Sequence, residues 1–187
     1  MSIDATGIRD QPIPTGDYRR PNEDRAGIYG HGVVELRGPD GALKQRVTFT
    51  NLVTQVGDQY IGERAAGIAG APAAITGMQL GTGTTAVAKT GAGAAIVTLV
   101  AASLVAVGTP VSSLSGSSRR IAYATTWAAG TATATGISEV VMTNQATGTQ
   151  TVAPASATMS RALLSPTVNK AAGDSLSVTW NVDVLGA

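Results

Sequence analysis

The chain has 187 residues, no cysteine and a formal net charge of +1, which fits one ordinary domain plus an appendage. Disulfides and thiolate metal sites are excluded outright, and the charge balance leaves no nucleic-acid footprint. Glycine is frequent at 23 residues and aromatics make up only 4%, a composition of short strands and turns rather than of a helix-rich enzyme.

Residues 1–32 hold Pro12, Pro14 and Pro21 among dense mixed charge, with no periodic pattern. They predict an extended N-terminal arm that cannot bury enough surface to fold alone and takes its order from another surface, most simply a neighbouring subunit. The opening MSIDATGIRD offers neither the basic flank nor the apolar stretch of a secretory signal. A folded body is expected over 33–187.

At residues 33–37 the character changes. Val33-Val34-Glu35-Leu36-Arg37 leads into Gly38-Pro39-Asp40-Gly41, with Pro and Asp at the two centres of a type I turn and Gly at its exit. Leu43, Gln45, Val47 and Phe49 then alternate with Lys44, Arg46, Thr48 and Thr50, completing a hairpin. A short helix is predicted near 54–66, capped by Asn51 or Thr54 and ended by Gly67, with Val53, Val56, Tyr60 and Ile61 on one face. Gly57 and Gly62 each weaken it by about 1 kcal/mol. Met78-Gln79-Leu80 reads as a strand and residues 81–85, GTGTT, as a loop.

Residues 94–107 contain only Thr98 and Ser103 as polar side chains and no charge. As helix this run would reach ~21 Å, short of the roughly 20 apolar residues of a membrane span, and no basic cluster or Trp/Tyr belt borders it. It is expected to be a buried core element, either a helix or two short strands, because a continuous apolar run has no period to arbitrate. Residues 112–118, SSLSGSS, read as a polar, flexible loop.

Four strands are predicted to close the chain, at 119–127, 136–143, 157–164 and 175–184. The last alternates most strictly, with Leu176, Val178, Trp180, Val182 and Val184 on one face. Burying such side chains is worth about 1.5–3 kcal/mol each. Many short strands, polar turns and one or two short helices predict a mainly β protein, an antiparallel β-sandwich of jelly-roll-like type.

Charge is placed unevenly. Residues 1–64 carry eight of the 13 Lys/Arg and nine of the 12 Asp/Glu, whereas residues 65–118 carry only Lys89. A solitary domain covers itself with more charge than this. Charge depletion marks the cores of subunit interfaces, so copies are expected to pack against one another.

No residue set nominates catalysis, a cofactor or a metal. His31, the single histidine, sits between Gly30 and Gly32 without a second ligand or a partner base in sequence. The GTGTT loop lacks the lysine of a phosphate loop. Glu139, Asp174 and Asp183 are the only acids after Glu63. A glycosidase needs two carboxyls ~5–10 Å apart; Glu139 and Asp183 could be neighbours across a sheet, as could many pairs, while Asp174 stands where a turn-forming Asp is expected. Arg119 and Arg120 read as solvated charges at a strand start. Trp180 lies on an apolar face and reads as core, and Trp127 would serve as a sugar platform only if exposed.

The ordered series MQLGTGTTAVAKT, RRIAYATTW, GISEVVMTNQ and SRALLSPTVNKAAGDSLSVTWNVDV resembles small tailed-bacteriophage virion proteins of the tail-fibre, collar and minor-tail type, over roughly residues 47–185. The resemblance rests on the GTGTT turn, on Ile137-Ser138-Glu139-Val140, and on Lys170 through Trp180. The chain departs from that group in its middle segment, which is almost wholly Ala, Val and Leu. The resemblance implies a non-enzymatic virion structural protein present in multiple symmetric copies. Its partners would be other virion proteins and its own copies, with a host receptor glycan as a further candidate and neither nucleic acid nor membrane insertion. A capsid decoration protein and a carbohydrate- or receptor-binding tip module are the alternatives.

Overall fold

The computed structural model describes residues 28–148 and 150–184. The alternating C-terminal segment forms β10 (Ser175–Val184), in which Leu176, Val178 and Trp180 are fully buried between outward-facing Ser177 and Thr179. It pairs antiparallel with β1 (Ile28–Arg37) on one side and β7 (Ser118–Trp127) on the other. The hairpin partner β2 (Leu43–Thr50) and the short β6 (Val111–Ser115) complete a sheet of order β2-β1-β10-β7-β6. The second sheet runs β3-β9-β8-β4-β5, built from β3 (Leu52–Val53), β4 (Gly77–Gly81), β5 (Val105–Ala106), β8 (Ala134–Thr143) and β9 (Thr158–Lys170).

The two sheets form an antiparallel β-sandwich. Val34, Leu36, Val47, Phe49, Trp127 and Trp180 from the first meet Met78, Leu80, Ile137, Val140, Met142 and Val168 from the second in one core. The Phe49 and Trp180 rings stand edge to face, 4.9 Å apart, a geometry worth about 0.5–1.5 kcal/mol beyond area burial. The 38–41 turn closes as its sequence requires: Gly41 N–H donates to Gly38 O at 2.9 Å, and Asp40 Oδ1 accepts from Ala42 N–H at 3.0 Å.

Helix α1 (Gln55–Ala65) lies where periodicity and capping place it. Thr54 is the cap, its hydroxyl oxygen accepting from Gly57 N–H at 3.1 Å while the hydroxyl itself reaches the β9 backbone carbonyls. Gly57 is more than a weak helix former. A Cβ there would come within 2.1 Å of Met159 O, so its bare backbone is what lets the helix lie against β9.

Several expectations are corrected. Residues 28–32, assigned to the arm, are the first half of β1, each paired with β10; the rest of the predicted arm lies outside the described residues. Residues 112–118 are not a loop: β6 and β7 form a tight hairpin in which Ser115 faces Ser118. The strand at 157–164 extends to Lys170. The strict alternation of β10 ends at Trp180, beyond which Val182 is half-buried, Asp183 is buried and Val184 is 45% exposed.

The apolar run 94–107 is neither helix nor a pair of regular strands. It follows a 3₁₀ turn (Gly91–Ala94) and starts over the outer face of the second sheet, where Ile96 and Leu99 pack with Val141 and Ala153 in a separate small cluster. It then passes alongside β4, with Val100 N–H donating to Leu80 O at 3.1 Å and Ser103 hydrogen-bonded to both Leu80 N–H and Leu80 O. It ends as β5, with Val105 and Val107 against the main core. The run therefore wraps the β4 edge and contributes to both faces of one sheet. No described helix is long and apolar enough to cross a membrane.

Candidate functional site

Three groups of ionisable side chains emerge from the strand ladders, and each was visible in sequence only as scattered residues. The first lies on the outer face of the first sheet. Asp183 on β10 is opposite Arg120 on β7, and Asn181, two residues back, is opposite His31 on β1. Arg120 grips Asp183 through both oxygens, Nε to Oδ1 at 2.7 Å and an Nη to Oδ2 at 2.9 Å. His31 Nδ1 stands 3.8 Å from Asp183 Oδ2 and its Nε2 lies 3.5 Å from Asn181 Nδ2. Thr48 and Thr50 complete an open groove of about 670 Å3 over these residues.

Arg120, expected as a merely solvated charge, is thus a structural partner, and its hydrogen bonds hold the Asp183 carboxyl below the ordinary carboxylate range against the opposing effect of burial. A general base works best with a pKa near the operating pH. A depressed carboxylate already saturated by a guanidinium is a fixed anion, suited to orienting neighbours and ill-suited to taking protons.

The second group is the most buried. Glu139 on β8 and Arg161 on β9 are both fully inaccessible. Arg161 faces Val141 across the ladder, which puts Glu139 on its diagonal on the outer face of the second sheet. Arg161 donates from Nε at 3.0 Å and from an Nη at 2.6 Å, both to Glu139 Oε2. Its other Nη reaches Thr85 O at 2.9 Å and Gly93 O at 3.2 Å. Glu139 Oε1 accepts three backbone N–H groups, from Gly83 at 2.8 Å and from Val97 and Thr98 at 3.1 Å each. Ser138 adds a hydroxyl bond to Gly83 O at 2.8 Å.

This network explains the GTGTT stretch. The loop is held down by a carboxylate, and a Cβ at Gly81 or Gly83 would lie 2.3 or 2.6 Å from Glu139 Oε1. Gln79 does the same for the next covering segment, accepting from Ala153 N–H and donating to Thr151 O, each at 2.8 Å. Irregular chain laid over a sheet must find partners for its backbone groups, and these three side chains supply them. With every oxygen of Glu139 engaged and no solvent access, no substrate can reach it. Glu139 and Asp183 also belong to different sheets, so the carboxyl pairing considered from sequence does not form.

The third group closes the β9–β10 turn. Asp174 is nearly inaccessible and accepts Lys44 Nζ on both oxygens at 3.0 and 2.8 Å, with Ala171 N–H at 3.0 Å. Lys44 first, then the Ala171 amide, hold its carboxyl below the usual range against burial. Lys170, 1% exposed, donates to Ala128 O at 3.0 Å, and burial pushes its ammonium down. The turn-forming role expected of Asp174 is met. Trp180 is core as expected, and Trp127 is also 0% exposed, its indole N–H donating to Ser103 O at 2.6 Å. Neither ring offers a sugar platform.

Among the described residues no three His, Asp or Glu side chains converge as a metal site. Comparison of the chain with family models, with curated proteins and with solved structures gave no match. The geometry assigns Glu139, Arg161, Lys170 and Asp174 to holding backbone and turns in place, and Arg120 and Asp183 to an ion pair across neighbouring strands.

Proposed function

We propose that this chain is a bacteriophage virion structural protein, a multimeric β-sandwich subunit of a tail, collar or head appendage that carries out no catalysis and is anchored through its leading residues. The observation that carries the reading is how charge is used. Glu139, Arg161, Asp174, Asp183, Arg120 and Lys170 are all engaged in internal contacts, while residues 65–118 include many exposed residues with Lys89 as their single charge. A surface left so uncharged suits contact with other subunits better than permanent contact with water.

The motif positions behind the phage resemblance support it from another side. Gly81, Gly83, Ser138 and Glu139 form one network, and Lys170, Gly173 and Asp174 form one turn. These are positions a scaffold needs.

Purified particles from the host that expresses this chain should contain it in many copies, countable by quantitative mass spectrometry and locatable by electron microscopy. Density on the shell surface instead of the tail or collar would move the subunit to the decoration role. Its absence from washed particles would overturn the proposal.

A further inference from the structure

Sheet edges are templates for pairing, and proteins blunt them with charge, proline or brevity. This sandwich has four. The β2 edge carries Lys44 and Arg46, whose side chains are about half exposed or more. The β3 and β5 edges are two residues long each. The β6 edge has none of these defences. It is five residues, VSSLS, with Val111 61% and Leu114 73% exposed, and no charged residue lies between Lys89 and Arg119. Among the described residues nothing pairs with its outer side.

We propose that β6 is a self-association edge, pairing antiparallel with β6 of a second copy and joining two five-stranded sheets into one. The inference rests on the reading of this chain as an assembling subunit and names the edge that the assembly uses. Charge favours a second copy as the occupant: an uncharged strand can lie against its own copy in any register without like charges meeting, and of the four end strands β6 alone is both uncharged and longer than two residues. A two-fold axis at Ser113 sets Val111 opposite Ser115 of the partner subunit and Leu114 opposite Ser112 of the partner subunit, so each exposed apolar side chain covers a small one. One five-residue ladder buries less than the roughly 1,200 Å2 of a stable complex. The pairwise contact is therefore weak, with a Kd on the order of 10–100 μM, and gains strength by repetition in an array.

Sedimentation equilibrium of the full chain from ~10 μM to ~1 mM should show a monomer–dimer equilibrium in that range. Leu114→Lys and Val111→Lys, both at exposed positions, should weaken it at least about tenfold with an unchanged melting temperature. Leu43→Lys on the opposite edge should leave it intact. Amide exchange in residues 111–115 of the unaltered chain should slow as concentration rises, a readout independent of any variant. A chain that stays monomeric at ~1 mM, a dimer indifferent to both lysines, or β6 amides already protected in dilute monomer because the chain's own leading segment covers them would each overturn the inference. The chain's presence in particles is a separate measurement: it can succeed while β6 pairing fails, and the reverse.

Discussion

Replacing Arg161 by Met removes the cation from the buried pair and keeps most of the side chain's bulk. The Glu139 carboxylate is then left fully buried with its three backbone donors and no counter-charge, and Thr85 O and Gly93 O lose their shared Nη. Removing one partner of a buried ion pair costs about 3–5 kcal/mol, a large part of the roughly 5–15 kcal/mol that holds a domain folded. At about 2–4 °C per kcal/mol for a chain of this size, the melting temperature should fall by roughly 6–20 °C. The Glu139→Leu/Arg161→Met double variant removes both charges. Its loss should be smaller than the sum of the two single losses, because the unpaired buried charge that dominates each single variant is absent from the double. Urea titration of all four proteins gives the coupling directly. Amide exchange should also show the Gly83, Val97 and Thr98 N–H groups opening first in Arg161→Met. A single variant within about 1 kcal/mol of the parent, or strictly additive losses, would refute the view that this pair holds the covering segments onto the sheet.

Two glycines of one helix should respond with opposite sign. Gly57→Ala drives a methyl into Met159 O and should cost about 1–3 kcal/mol by overpacking, whereas Gly62 has nothing within 4 Å and Gly62→Ala should gain about 0.5–1 kcal/mol; urea midpoints of the two variants decide it. Asp174 and Asp183 both have folded pKa values depressed by hydrogen bonds to Lys44 and Arg120. Each therefore stabilises the fold above the unfolded carboxyl value of about 3.9 and loses that contribution as pH falls toward its folded value. The melting temperature should drop as pH is lowered through and below about 4, and Asp174→Asn or Asp183→Asn should flatten that slope; equal slopes in all three proteins would rule the linkage out.

The elements legible in the sequence were those whose signal is local. The 38–41 turn and the first half of β10 follow from two to six neighbouring residues, and the structure has each where the pattern puts it; of the two cap candidates, Asn51 and Thr54, it uses Thr54. What local pattern could not show is chain laid outside the sandwich. Ile96, Val100 and Leu104 are buried at spacings of four, which mimics a helix face, yet they belong to irregular chain, with a turn at 101–102, crossing from the outer face of a sheet to its edge. Nothing local in the sequence pairs Glu139 with Arg161 or marks either as buried, because strands in a two-layer sandwich have a wet face. They are dry because residues 82–104 and 150–157 form a partial third layer over that face. The one available hint was the coincidence of an uncharged, glycine-rich stretch with charges isolated on strands that are otherwise apolar: a lone carboxylate among Val140, Val141 and Met142 is tolerable only if something brings it donors. Read that way, the low charge of residues 65–118 has two sources. Part of the segment faces its own sheet, as Ile96 and Leu99 do, and only the remainder, β6 above all, is left uncharged with nothing of the described chain against its outer edge. That edge is where the proposed contact between subunits would lie.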